Sequence, residues 1–331
     1  MKVIDFFCGC GGTSAGFQAA GLEIAGGLDL DPSAAKTFRR NFPNAGFIEG
    51  DITDVDPSEV DRMVGGGPVL FAGCAPCQPF SKQNRQKRTD DSRRPLLAEF
   101  GRFVLALRPE FVVVENVPGL QRIGDAGPFP AFRSQLQDLG YSVAAAVLKA
   151  SDFGVPQTRR RLVLVASLKG PACLPKARGG SPPSVRDAIG GLPRLEAGEV
   201  DCKDPDHAAM RLSPRNLQRI RLTAEGGGRE TWPHHLLAPC HREHQGHSDT
   251  YGRMSWDRPA SGLTTRCLSY SNGRFGHPDQ DRAISAREAA LLQTFPANFR
   301  FEGTLGAKGI QIGNAVPPLF AQQIAEALLA G

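Results

Sequence analysis

The chain of 331 residues has no apolar run near the roughly 18 residues that span a bilayer, which excludes a membrane-spanning helix. No cationic leader precedes an apolar stretch. MKVIDFF enters a strand pattern at once, so neither a signal peptide nor a transit segment is expected. There is no internal repeat, no low-complexity tract and no GxGxxG, so a dinucleotide pyrophosphate site is not indicated. Cysteine is sparse: eight residues, spread thinly and with no secretory context, suit reduced thiols in a cytoplasmic protein better than a disulfide framework. Neither sign of charge dominates. Against 34 acidic residues, 39 basic ones leave a formal charge of +5, which permits a nucleic-acid partner without requiring one. The length suits two domains, or one large domain carrying an insertion.

What is present centres on Gly73–Ser81, GCAPCQPFS. Val69–Ala72 reads as a buried strand. Pro76 and the proline after Gln78 make a stiff turn that presents Cys77 at the strand mouth, the edge where open α/β sheets bind ligands. The plainer reading of any cysteine is an inert buried thiol. The flanking prolines and glutamine argue against it here.

In chain order, strand Lys2–Phe7 runs into CGCGGTS, where Thr13 or Ser14 could cap a helix Ala15–Ala20 ended by Gly21. The glycines allow main-chain N–H groups close to a ligand. A strand Leu22–Leu28 ends at Asp29, placed to hold a ribose diol. Asp31-Pro32-Ser33 starts a helix over 34–42, and a third strand from Phe47 ends at Asp51. Lys82–Arg94 contains no apolar residue. It is either a solvated loop or a basic lid able to touch phosphates, with Arg85 and Lys87 among its cations. A helix Pro95–Leu107 precedes the apolar strand Phe111–Val114, which delivers Glu115 in ENVPGL. Partial desolvation is expected to raise that carboxyl. After a helix Phe129–Leu139, strands Tyr141–Leu148 and Arg161–Ala166 are joined too closely for a crossover, so they should be antiparallel. Period-2 spacing puts Arg159 and Arg161 of QTRRR on one face of the second.

From Lys169 to Gly198 the chain turns rich in Gly, Pro and Ser, and 200–284 is irregular and polar. Six of the seven histidines fall between His207 and His247. Cys240, His241, His244 and His247 have the residue types of a zinc site, but only Cys202 and His207 lie upstream as a second half. A polar DNA-facing loop is the preferred reading and no metal is expected. Arg211, Arg215, Arg219 and Arg221, in a helical pattern, could meet phosphates or nothing. Order returns at Ser285, whose spacing to Glu288 is a capping box, and at GIQIGNAVPP before a helix Leu319–Leu329.

These motifs, in this order, resemble the bacterial DNA cytosine-carbon-5 methyltransferases over nearly the whole chain: DFFCGCGG, GDITDV (Gly50–Val55), PCQPFS, ENVPGL, QTRRR and GNAVPP. The resemblance implies an α/β fold with a doubly wound, mostly parallel sheet of the Rossmann-like methyltransferase type, carrying an inserted, smaller and irregular recognition domain. The implied division is a catalytic and cofactor domain at 1–180, target recognition at 181–284, and a segment 285–331 completing the first. It implies S-adenosylmethionine as cofactor, held by Phe7, Gly9, Gly11, Asp29, Asp51, Ile52, Pro76 and Asn314. Cys77 would attack carbon 6 of a flipped cytosine, Glu115 would hold N3, Arg161 would bind O2, and Arg159 would stand behind it. Gln78 and Ser81, with Arg85 and Lys87, would follow duplex DNA. A monomer is expected, with a restriction endonuclease as a possible companion. An RNA-modifying relative would typically carry a Cys-Phe-Thr tripeptide, which is absent. An inactive DNA-binding copy would be expected to lose Cys77, Glu115 or Asn314, and all three are present.

Overall fold

The computed structural model describes residues 1–76, 96–120, 127–241 and 249–330. Cys77, Gln78, Ser81, Arg85 and Lys87, with the rest of the basic segment, lie outside the described residues, as do His244 and His247. The chain forms two compact units. The first comprises Met1–Phe153, Arg160–Gly179 and Val316–Gly331, and the second Gly154–Arg159 and Gly180–Ala315.

In the first unit, strand β1 (Lys2–Phe6), helix α1 (Gly12–Ala19), β2 (Glu23–Asp29), α2 (Pro32–Asn41), β3 (Gly46–Glu49), α3 (Pro57–Val64), β4 (Val69–Gly73), α4 (Leu96–Leu107), β5 (Phe111–Asn116), α5 (Pro128–Asp138), β6 (Ser142–Lys149) and β7 (Arg160–Ser167) follow in order. They build a seven-stranded sheet, β3-β2-β1-β4-β5-β7-β6. β1 to β5 are mutually parallel where they pair, and β7 runs antiparallel to both β5 and β6. The order reverses at β1, so β1 and its neighbour β4 flank the switch point where such sheets bind ligands. β4 and the middle of β5 are almost wholly apolar because helices cover both faces. Phe6, Phe71, Phe100 and Phe103 meet with ring centroids 5.0–5.1 Å from Phe6.

The structure corrects two local expectations. Helix α1 starts at Gly12 rather than Ala15, and neither Thr13 nor Ser14 caps it. Gly11, at φ +94°, turns the chain into the helix without a side-chain bond. The Ser14 hydroxyl instead donates to the buried Asp5 carboxylate at 2.7 Å. Helix α3, set by an Asp56/Glu59 capping box and Pro57, was not anticipated. Asp31 caps α2, accepting from Ser33 N at 2.8 Å.

The second unit has no long strand among its described residues. Its helices are α6 (Val185–Ile189), α7 (Pro214–Arg221), α8 (Ala286–Leu292) and α9 (Leu305–Asn314). Residues 285–315, assigned by sequence to the segment completing the catalytic domain, pack inside this unit. Buried charge ties them there. Glu288 accepts from both Nη atoms of Arg282 at 2.7 Å, Asp206 receives Lys308 Nζ at 2.6 Å, and Arg287 lies between Asp204 and Asp206. Only α10 (Pro318–Leu329) returns to the first unit. It packs on α1 so closely that a Cβ on Gly16 would stand 2.2 Å from Pro318 O and 2.6 Å from Ala321 Cβ. Gly16→Ala is therefore expected to cost about 1–3 kcal/mol through overpacking, read as a lower urea midpoint of unfolding. An unchanged midpoint would contradict this packing.

Candidate active site

The turn after β1 has three positive φ angles in five residues: Phe7 at 56°, Gly9 at 53° and Gly11 at 94°. A bulky residue in the left-handed region is strained by about 1–3 kcal/mol, and such strain collects at functional sites. Gly11 leaves no room for a side chain, since a Cβ would lie 2.5 Å from the Phe42 ring. Gly9 is the opposite case: among the described residues a Cβ there would meet nothing within 4 Å, so they leave its α-carbon uncrowded. Asp29, at the end of the neighbouring β2, fastens the turn. Its Oδ2 accepts from Gly9 N at 2.7 Å and its Oδ1 from Asp31 N at 2.9 Å. Each carboxylate oxygen keeps a second lone pair, so a ligand bearing vicinal hydroxyls fits here. Burial raises the Asp29 pKa, opposed by these N–H donors.

Asp51 does not end the third strand as expected, since β3 stops at Glu49; it caps the following 3-10 turn (Ile52–Asp54), accepting from Thr53 N at 3.0 Å and Thr53 Oγ1 at 2.9 Å. Ile52 is 2% exposed, and its side chain belongs to the main core. Leu30, beside Asp29, is 64% exposed and was missed by sequence reasoning. An apolar residue next to a strand-end carboxylate is the signal that could have found it. Pro76, the last described residue before the nucleophile candidate, is exposed.

Glu115 lies within β5, next to β4 in the sheet. It is 8% exposed and does not stand alone. Arg161, on β7, brings Nε to 2.7 Å from its Oε1, an ion pair without hydrogen-bond alignment. Asn116, also missed, donates from Nδ2 to Ala75 O at 3.0 Å and accepts from Val117 N. It thereby ties the end of β5 to the residue just before Pro76. Cys74 lies 3.7 Å from Thr13 Oγ1, and burial first, then Glu115, pushes its thiol well up.

Arg159 and Asn314 belong to the second unit. Arg159 precedes β7 rather than sharing a strand face with Arg161. It is buried, and its Nη1 donates to Leu263 O and Gly313 O at 3.0 Å each. Asn314 is the exposed last residue of α9. Of the histidine cluster, Cys240 is exposed and His241 meets Tyr251 edge-on at 6.1 Å. No group of three metal-ligating residues occurs among the described residues.

A sheet that reverses at β1 and runs antiparallel only at one edge is that of the Rossmann-like methyltransferases. A solved structure described as a DNA modification methyltransferase encoded within a prophage (E. coli) superposes with a TM-score of 0.80, covering 100% of both chains at 24% identity. More narrowly, the chain belongs to the C-5 cytosine-specific DNA methylase family, whose model matches residues 1–330. It is 41% identical to Type II methylase M.HgiDII of Herpetosiphon aurantiacus over 98% of this chain and 94% of that protein. It is 36% identical to Type II methyltransferase M1.HphI of Haemophilus parahaemolyticus over 99% and 87%.

The buried Asp5 beneath the glycine turn gives a pH test. Burial, offset in part by Ser14, raises its pKa to about 7 from 3.8. Between those values the folded state keeps a proton that the unfolded state has released, so stability falls as pH rises from about 4 to 7. Asp5→Asn removes this loss. Its stability should decline less over that window and exceed wild type at pH 8, by up to a few kcal/mol. Parallel stability–pH curves would overturn the assignment.

Proposed function

We propose that this chain transfers a methyl group from S-adenosylmethionine to carbon 5 of a cytosine flipped out of duplex DNA at a specific sequence, through a covalent adduct on Cys77. The observation that supports it best is the sharing of one sheet edge by three adjacent strands. β1 ends in the glycine turn, β4 leads to Pro76, which Cys77 follows in sequence, and β5 carries Glu115 paired with Arg161. The Cys77 thiolate adds to carbon 6, and the electron pair it pushes into the ring makes carbon 5 nucleophilic. Glu115 holds N3, and Arg161, its ion-pair partner, binds O2. Arg159 acts from behind by bracing main-chain carbonyls. When bound, S-adenosylmethionine supplies the methyl group as an electrophile. Asp29 takes the ribose hydroxyls, Gly9 and Gly11 allow close approach, Phe7 and Pro76 border the pocket, Asp51 and Ile52 lie about the adenine, and Asn314 closes it. Gln78, Ser81, Arg85 and Lys87 follow the DNA. Once the carbon-5 proton passes to water, the carbon–sulfur bond breaks and Cys77 leaves. Flipping costs a few kcal/mol, which these contacts offset. Because the relatives are Type II methyltransferases, a companion restriction endonuclease is the proposed functional partner of a monomeric modification enzyme.

DNA carrying 5-fluorocytosine at the target tests the covalent step. Fluorine cannot leave as a cation, so the enzyme should be trapped through Cys77 after one methyl transfer. The adduct should survive denaturing electrophoresis and vanish in Cys77→Ala, while Cys8→Ala, Cys10→Ala and Cys74→Ala variants are still trapped. An adduct mapped to another cysteine would refute the assignment. Separately, Asp29→Ala should weaken cofactor binding by about 1.5–3 kcal/mol, the scale of a lost charge-assisted hydrogen bond. Unchanged affinity by calorimetry would remove Asp29 from the pocket.

A further inference from the structure

The second unit contains a cavity of about 450 Å³ whose walls include Glu225, Met254, Ser255, Arg258, Ser261 and Arg274. That volume admits a group of nucleotide size. Its polar lining is unevenly committed. Glu225, the single carboxylate of the lining, is turned to its own wall, where Oε1 accepts from Trp256 N at 2.7 Å and Ser255 Oγ at 3.3 Å. Arg274 spends Nη1 on Gly226 O and Gly227 O at 2.7 Å each, and Nε on Asp249 at 3.3 Å. The Arg258 guanidinium and the Ser261 hydroxyl make no hydrogen bond or ion pair among the described residues. Arg258 is exposed, so its donors face solvent at the cavity wall. The lining thus offers a guanidinium fork and a hydroxyl, three residues apart, and its other cation and its carboxylate are both already engaged.

This wall is fastened to the Gly154–Arg159 segment of the same unit, which carries the start of QTRRR. Ala260 N donates to Pro156 O and Ala260 O accepts from Thr158 N, both at 2.9 Å. Gly262 runs beside Arg159, and Leu263 O accepts the Arg159 guanidinium. The loop bearing Arg258 and Ser261 is therefore held in fixed register with a residue of the proposed base-handling set.

We propose that this cavity is a phosphodiester clamp, in which Arg258 and Ser261 grip a DNA backbone phosphate close to the flipped nucleotide. A guanidinium fork matches two phosphate oxygens, and a hydroxyl adds a third donor. Main-chain anchoring fixes register on the duplex and carries no sequence information. The inference rests on the DNA-methylating reading above and deepens it by naming residues that bind the substrate's backbone.

The test compares duplex binding by wild type, Arg258→Gln, Arg258→Lys and Ser261→Ala across a salt series, after methylation-sensitive sequencing has identified the site. Losing one phosphate contact lowers the slope of log K against log[salt] by about 0.9, so the affinity lost between 50 and 200 mM salt shrinks roughly 3.5-fold in Arg258→Gln. Arg258→Lys should retain the slope because it keeps the charge. Ser261→Ala should weaken binding at unchanged slope. In Arg258→Gln the KM for DNA should rise by a larger factor than kcat falls, with the same site methylated. Equal slopes in wild type and Arg258→Gln would overturn the clamp. So would a change in the methylated sequence, which would make Arg258 a base-reading residue. A wild-type protein that methylates no DNA would instead strike down the functional reading itself.

Discussion

The bond from Gly9 N to the Asp29 carboxylate, 2.7 Å long, is the contact on which the turn after β1 depends. A turn with three left-handed residues in five is not a conformation the backbone keeps unaided. Asp29 holds it from the adjacent strand. Cys8 N reaches Leu28 O at 3.1 Å, and Gly11 N returns to Cys8 O at 2.9 Å. With the turn closed, α1 departs at a set angle, and Gly16 lets α10 close over it. A strained, open main chain at the sheet's switch point follows from one carboxylate and one glycine lacking a Cβ.

The second unit meets a different constraint. Its main chain is mostly irregular, so its buried carbonyls need donors that no ladder supplies. Arginines fill that place. Arg253 is 5% exposed and bonds to the carbonyls of Ile220, Thr223, His277 and Gln280 and to Asp281. Arg159 and Arg282 act in the same way at Leu263, Gly313, Leu195 and Ala283. Such hubs are costly to break, about 3–5 kcal/mol when one partner of a buried pair is removed. Arginine thus has two uses in this unit. Buried ones hold the loops, and exposed ones either pair with surface carboxylates, as Arg186 does with Asp257, or like Arg258 keep an uncommitted guanidinium.

Legibility in the sequence followed periodicity. Continuous apolar runs marked β4 and β5, and short connections marked the antiparallel β6–β7 pair, because those signals are local. Asp29 and Glu115 could be picked out from the ends of apolar runs, whereas Asp51, read as the end of a strand, lies two residues beyond β3. The α1 start was misjudged because a hydroxyl that reads as a cap locally was taken by Asp5, a residue nine positions earlier. Asn116 gave no local sign, since its partner Ala75 is 41 residues away.

The sequence by itself determined the strands of the first unit and most of its helices, the glycines at the first turn and the family the chain belongs to. All of these rest on neighbouring residues and on motifs read in series. Tertiary structure alone decided that Arg161 faces Glu115, that Arg159 is spent on distant carbonyls, and that residues 285–315 pack in the second unit. It also decided that, of the two arginines beside the cavity, Arg274 is engaged and Arg258 is not. The physical reason is that a charged side chain reaches several ångströms to whatever donor or acceptor the fold delivers, and no local pattern records which partner that is.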